Sequence, residues 1–170
     1  GNDASSDCID CNAGKYSTLP GATAASGCVA CDAGKYLPSP GGDSETDCIA
    51  CPAGKYSTVP GAQSMDTCTD CEAGKYASAS GNAAESACVS CGPGKYSYVT
   101  GASSMSACIL CAAGKYLETS GNDAEADCVS CGAGKYSDTL GATSAGQCTN
   151  CPAGKHAQTI SNQAESSCIV

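Results

Sequence analysis

Apolar and polar residues in this chain follow neither the 3.6-residue period of an amphipathic helix nor the sustained alternation of a long strand. They recur every twenty residues, in step with the cysteines: Cys8 and Cys11, Cys28 and Cys31, Cys48 and Cys51, on to Cys148, Cys151 and Cys168. Each repeat reads C-x-x-C-x-x-G-K-Y-x-x-x-x-G, with six further residues before the next Cys. The C-x-x-C segment carries Ile or Val at Ile9, Val29, Ile49, Val89, Ile109 and Val129, and Gly-Lys-Tyr follows two residues later. Both segments predict short β-strands joined by a tight turn. The remainder, such as residues 17–27, is rich in Ser, Thr, Ala, Pro and Gly and predicts an irregular loop without helix. The first glycine (Gly14, Gly34, Gly54) is expected at positive φ, and the second (Gly21, Gly41, Gly61, replaced by Ser161 in the last repeat) is expected to turn the loop. Tyr16, Tyr36, Tyr56, Tyr76, Tyr96, Tyr116 and Tyr136 are the large apolar side chains that recur, and each is expected to cover a disulfide.

Composition sets the class. With 17 Cys in 170 residues, two Met and no Phe or Trp, the chain cannot fill a large core and has the cysteine density of cross-linked extracellular modules. A twenty-residue unit buries little alone and must stack on its neighbours. The expected fold is small, disulfide-rich and mostly β or irregular, an elongated solenoid-like rod of twenty-residue repeats. Residues 1–7 read as the tail of a preceding repeat, 8–167 as eight tandem repeats and 168–170 as the start of another, so the sequence is expected to be an excerpt of a longer array.

Charge narrows the partners. The net charge is -9, and the eight cations are all lysines, one per repeat from Lys15 to Lys155. Phosphate backbones need a concentrated basic surface, so nucleic acid is excluded as a partner. No apolar run approaches the length of a membrane span.

Three chemistries compete for the cysteines. C-x2-C-x16-C-x2-C falls within the spacing of four-thiolate zinc ribbons, and C-x-x-C alone occurs in thioredoxin-like redox sites. The thin core and the eightfold repetition without a βαβ context favour disulfides as scaffolding, with no metal and no cofactor. If every repeat is bridged alike, either each C-x-x-C closes on itself or the second Cys of one repeat joins the first of the next. The latter closes sixteen intervening residues and is worth about 3 kcal/mol in chain entropy, which favours it.

The segment Cys51-Pro-Ala-Gly-Lys-Tyr56 through Cys68-Thr-Asp-Cys71 resembles the ephrin-receptor-like cysteine-rich repeat, similar in turn to the first loop of tumour-necrosis-factor-receptor modules. The resemblance covers the whole chain. It implies one bridge around each Gly-x-Tyr loop: Cys11–Cys28, Cys31–Cys48, Cys51–Cys68, Cys71–Cys88, Cys91–Cys108, Cys111–Cys128, Cys131–Cys148 and Cys151–Cys168, with Cys8 unpaired in this segment. The uniform spacing departs from the receptors and resembles long arrays in surface proteins of unicellular eukaryotes.

A second period of forty is superposed. Glu45, Glu85, Glu125 and Glu165 alternate with Ala25, Met65, Met105 and Ala145; Ser17, Ser57, Ser97 and Ser137 alternate with Leu37, Ala77, Leu117 and Ala157. The alternation records either different surroundings for odd and even repeats or duplication of a forty-residue unit. In the first case Ala25, Met65, Met105 and Ala145 form a contact edge, since burying apolar surface is favourable and burying an unpaired carboxylate is costly.

The remaining chemistry is sparse. The single His156 replaces Tyr and reads as a packing variant. The lysines read as solvated partners of nearby carboxylates, with a glycan-binding ladder as the alternative. No Asn begins an N-glycosylation sequon, whereas Ser17-Thr18-Leu19-Pro20 and Ser57-Thr58-Val59-Pro60 suit O-linked sugar. No nucleophile, acid–base pair or metal set marks an enzyme. The expectation is an extracellular or cell-surface structural protein, a stapled rod forming or lining a filament or appendage by self-association or with other filament proteins. The alternative is a receptor-like ectodomain that binds a protein or glycan.

Overall fold

The computed structural model describes residues 10–19 and 27–170. Cys8 and Ala25 lie outside the described residues. The chain divides into two compact bodies, one comprising Gly1–Cys71 with Ala77–Cys88 and the other Glu72–Tyr76 with Val89–Val170. Repeats are counted below from Cys8 in steps of twenty.

Among the described residues the regular structure is two-residue antiparallel strand pairs and single 3₁₀ turns, with no α-helix. In the first body Lys15–Tyr16 pairs with Val29–Ala30, Lys35–Tyr36 with Ile49–Ala50, and Lys55–Tyr56 with Thr69–Asp70. In the second, Lys75–Tyr76 pairs with Val89–Ser90, Lys95–Tyr96 with Ile109–Leu110, Lys115–Tyr116 with Val129–Ser130, and Lys135–Tyr136 with Thr149–Asn150.

This pairing differs from a hairpin within one repeat. Each Lys-Tyr strand takes the C-x-x-C segment of the following repeat, not the one that precedes it by a turn. The reason lies in the turn. Lys35 N–H donates to Asp32 O at 3.1 Å and Gly34 has φ +82°, the positive third-position φ of a type II turn. Type II turns splay the flanking strands, whereas tight hairpins use the primed types. The preceding Cys31 N–H is also already engaged, donating to Gly14 O at 2.9 Å.

The long loop ends in structure that periodicity did not predict. Glu45–Asp47, Met65–Thr67, Glu85–Ala87, Met105–Ala107, Glu125–Asp127, Ala145–Gln147 and Glu165–Ser167 each form one 3₁₀ turn directly before a Cys. In the second repeat Ser44 caps the turn by accepting from Thr46 N–H, and the Asp47 carboxylate accepts from Ser44 N–H at 3.1 Å, a reciprocal capping box. The pattern Ser-x-x-Asp was its local signal.

The buried core of each body is built largely on cystine sulfur. All eight bridges link the second Cys of one repeat to the first of the next, from Cys11–Cys28 through Cys151–Cys168, with Cα separations of 5.6–5.8 Å. These bonds engage all sixteen described cysteines, leaving none of them as the free thiolate that zinc or thiol exchange would require. Tyr16 packs on Cys31 and Cys48, Tyr56 on Cys71 and Cys88, and Tyr96 on Cys111 and Cys128. Each of these tyrosines thus covers the bridge of the next repeat.

Neighbouring repeats are joined by backbone hydrogen bonds. Tyr16 forms a parallel bridge with Gly42, and Ser17 N–H donates to Gly42 O at 3.0 Å; the same pattern joins Tyr56 to Asn82 and Tyr96 to Asn122. Alternate repeats also touch. A Cβ on Gly14 would overlap the carbonyl of Gly61, and the same holds for Gly34 with Gly81, Gly94 with Gly141, and Gly114 with Ser161. Ser161 is the one non-glycine residue at positive φ (61°) among those described.

Candidate interaction surface

The forty-residue alternation has a structural counterpart. In odd repeats the residue after Tyr is a serine: Ser57, Ser97 and Ser137 are each at most 2% exposed, and Ser17 is half-buried. Its Oγ accepts from the N–H two residues on, as in Ser57 with Val59 and Ser97 with Val99, a short-range turn typical of serine. Even repeats bury Leu37, Ala77, Leu117 and Ala157 at the same position. They secure the loop differently: Asn82 Nδ2 donates to Lys55 O of the preceding repeat at 2.9 Å and to Ala79 O at 2.7 Å, and Asn162 does the same to Lys135 O and Thr159 O.

The consequence is an inversion. Where serine holds this position, an aliphatic or aromatic side chain is left in solvent: Leu19, Val59, Tyr98 with Val99, and Leu140, of which Val59 is 48% and Tyr98 69% exposed. Where Leu or Ala is buried, the loop that follows is polar, as in Ser78 and Ser80 or Glu118 and Thr119. The last even repeat departs from this pattern with exposed Ile160. Of the sequence-predicted edge, Met65, Met105 and Ala145 are exposed. Met65 belongs to the first body and Met105 and Ala145 to the second.

Charge follows the same division. The odd repeats together hold three acidic residues and four lysines, whereas the even repeats hold twelve acidic residues and four lysines. The excess negative charge of the eight repeats therefore resides on the even ones. Reading the repeats singly missed this; summing charge by parity would have found it.

Four lysines, Lys35, Lys55, Lys75 and Lys115, are half-buried along their stems and paired at their tips. Lys35 Nζ donates to Glu45 Oε1 at 2.8 Å and Lys115 to Glu125 at 3.0 Å, both within one even repeat. Lys55 reaches Asp70 at 2.7 Å across the strand pair, and Lys75 meets Glu72 at 3.2 Å. The hydrogen bond with Lys35 holds the Glu45 carboxyl below its ordinary value, and the same bond raises Lys35. His156 is exposed, pairs with Ile169 through the backbone, and has its ring 3.3 Å from Gln158 Nε2. Among the described residues no group of three or more His, Cys, Asp or Glu is placed to hold a metal ion, and no helix is long and apolar enough to cross a membrane.

The decisive geometry is a Gly-Lys-Tyr loop closed by one bridge to the next C-x-x-C, repeated every twenty residues. Over residues 21–68 the chain matches the family described as tyrosine-protein kinase ephrin type A/B receptor-like. No curated protein matches the chain. The matched segment contains the bridges Cys31–Cys48 and Cys51–Cys68, and the later repeats carry the same bond at the same interval. Disulfides at this density, together with an extracellular type of repeat, point to an extracellular or secreted location.

Proposed function

We propose that this chain is a non-catalytic structural element of the cell exterior, forming or lining a surface filament or appendage. One observation carries the reading. Bridges and C-x-x-C segments alternate along a short covalent path: Cys11 to Cys28 by disulfide, Cys28 to Cys31 by three peptide bonds, Cys31 to Cys48 by disulfide, and so on to Cys168. Tension applied to the chain runs along this path and bypasses the loops. Each loop is left free to vary while the spacing of repeats stays constant, which suits a length-setting element.

A receptor-like ectodomain is the second reading. It is favoured by exposed Tyr98 beside Val99, since exposed aromatics serve as binding anchors. Electron micrographs of the non-reduced protein at the surface of its source cells and after purification separate the two. Filaments or fibrous arrays are expected. Dispersed single particles that capture a soluble protein or glycan would replace the structural reading with the receptor one.

A further inference from the structure

We infer that the odd repeats are the surface through which one copy of this chain packs on a second copy. The inference rests on the structural reading above and supplies its partner. Within each body, odd repeats adjoin one another: Gly14 of the first repeat packs on Gly61 of the third, and Gly94 of the fifth on Gly141 of the seventh. Each such pair of adjoining repeats carries exposed apolar side chains and little net charge: Leu19, Val59 and Met65 in the first body, and Tyr98, Val99, Met105 and Leu140 in the second.

Charge selects the occupant. An identical chain carries a net charge of -9, so two copies repel wherever the even repeats face each other. Odd repeats hold three carboxylates against four lysines and impose no such repulsion. A second copy presents the same apolar, uncharged loops in return, whereas an acidic lipid surface or a basic polymer would be directed by the even repeats. The buried serines hold the loops in place, because Ser57 and Ser97 fix the N–H groups of Val59 and Val99 and leave those side chains outward. The contact is apolar, so salt, which screens the repulsion of the even repeats, strengthens it.

Sedimentation velocity of the non-reduced 170-residue chain over a concentration series, at low and high salt, tests this. The parent is expected to associate, more tightly in high salt. Val59→Asp with Val99→Asp is expected to weaken association about tenfold or more. Ser39→Asp with Ala79→Asp adds the same charge at equivalent positions of even repeats and is expected to change it less than about twofold. Met65→Glu with Met105→Glu provides a second odd-repeat variant, since Glu occupies that position natively in Glu45 and Glu85. The intact mass with all eight bridges verifies folding of each. Filaments that form equally from parent and both odd variants overturn the inference and leave the structural reading standing. A parent that stays monomeric at every concentration and salt overturns both.

Discussion

Leu37 occupies the space that a side chain at Gly42 would need. A Cβ on Gly42 would lie 2.8 Å from Leu37 Cδ2 and 3.2 Å from both Lys15 O and Tyr16 Cβ. Gly42 is not among the glycines at positive φ, so its requirement is steric. Gly42→Ala is therefore expected to destabilise by roughly 1–3 kcal/mol, the usual cost of overpacking. Leu37→Ala carries its own cost as a core truncation, and because it opens the space that the new Cβ needs, the double variant should lose less than the sum of the two single losses. Denaturant melts of the two single variants and the double variant measure this. Additive losses would mean that the two residues do not compete.

The contact between alternate repeats can be isolated with two glycines of the second body. Gly94 has φ +76° and its added Cβ would meet Gly141 O, whereas Gly134 has φ +75° and its added Cβ would meet nothing within 4 Å. Gly134→Ala is expected to carry only the backbone strain of a left-handed alanine, about 1–2 kcal/mol. Gly94→Ala adds a backbone collision and is expected to lose roughly 1–3 kcal/mol more. Equal losses would remove the stacking contact as a source of stability.

The Lys35–Glu45 pair responds to pH at both ends of the scale. Glu45 is depressed, so its contribution is complete above the ordinary carboxylate value and is lost as pH falls through its lowered folded value. Lys35 is raised, so its share is present below the ordinary lysine value and is lost as pH rises through the raised one. Both tips are in solvent, so the melting temperature should move little between these limits. Carboxyl NMR titration is the direct measurement: Lys35→Met should return Glu45 toward its ordinary value, and an unchanged titration would show that the ion pair is not formed in solution.

Stretching a single molecule tests the covalent path. With bridges intact, a repeat can extend only across one disulfide, whose Cα separation is 5.6 Å in Cys11–Cys28, and three peptide units. This limits each repeat to about 16 Å, against about 70 Å for twenty residues of reduced chain. Contour length should therefore rise about fourfold when reductant is added. Long extension without reductant would show that the bridges do not follow the described path.

The Gly-x-Tyr loop, the positive-φ glycines and the positions of the short strands were all legible in the cysteine-framed repeat, because each depends on residues within a few positions of one another. Equal spacing and loop entropy likewise favoured a bridge between repeats over one within C-x-x-C. The 3₁₀ turns were partly legible, through Ser44-x-x-Asp47 and Ser144-x-x-Gln147, but loops ending in Ala84 or Ala164 lack that side-chain signal and form the same turn.

Tertiary structure alone decided which strand Lys35–Tyr36 would pair with, that Gly34 would rest on Gly81, and that Ser57 would be buried while Val59 stayed outside. Hydropathy read one residue at a time assigns Ser57 and Val59 the reverse places. The backbones of the flanking repeats override it: Gly34 N–H donates to Ser57 O and Ser57 N–H to Asn82 O, which fixes that residue with its side chain inward. Periodicity along the chain reports which residues recur, whereas burial depends on what a segment forty-seven residues away, as in Gly34 and Gly81, brings against them.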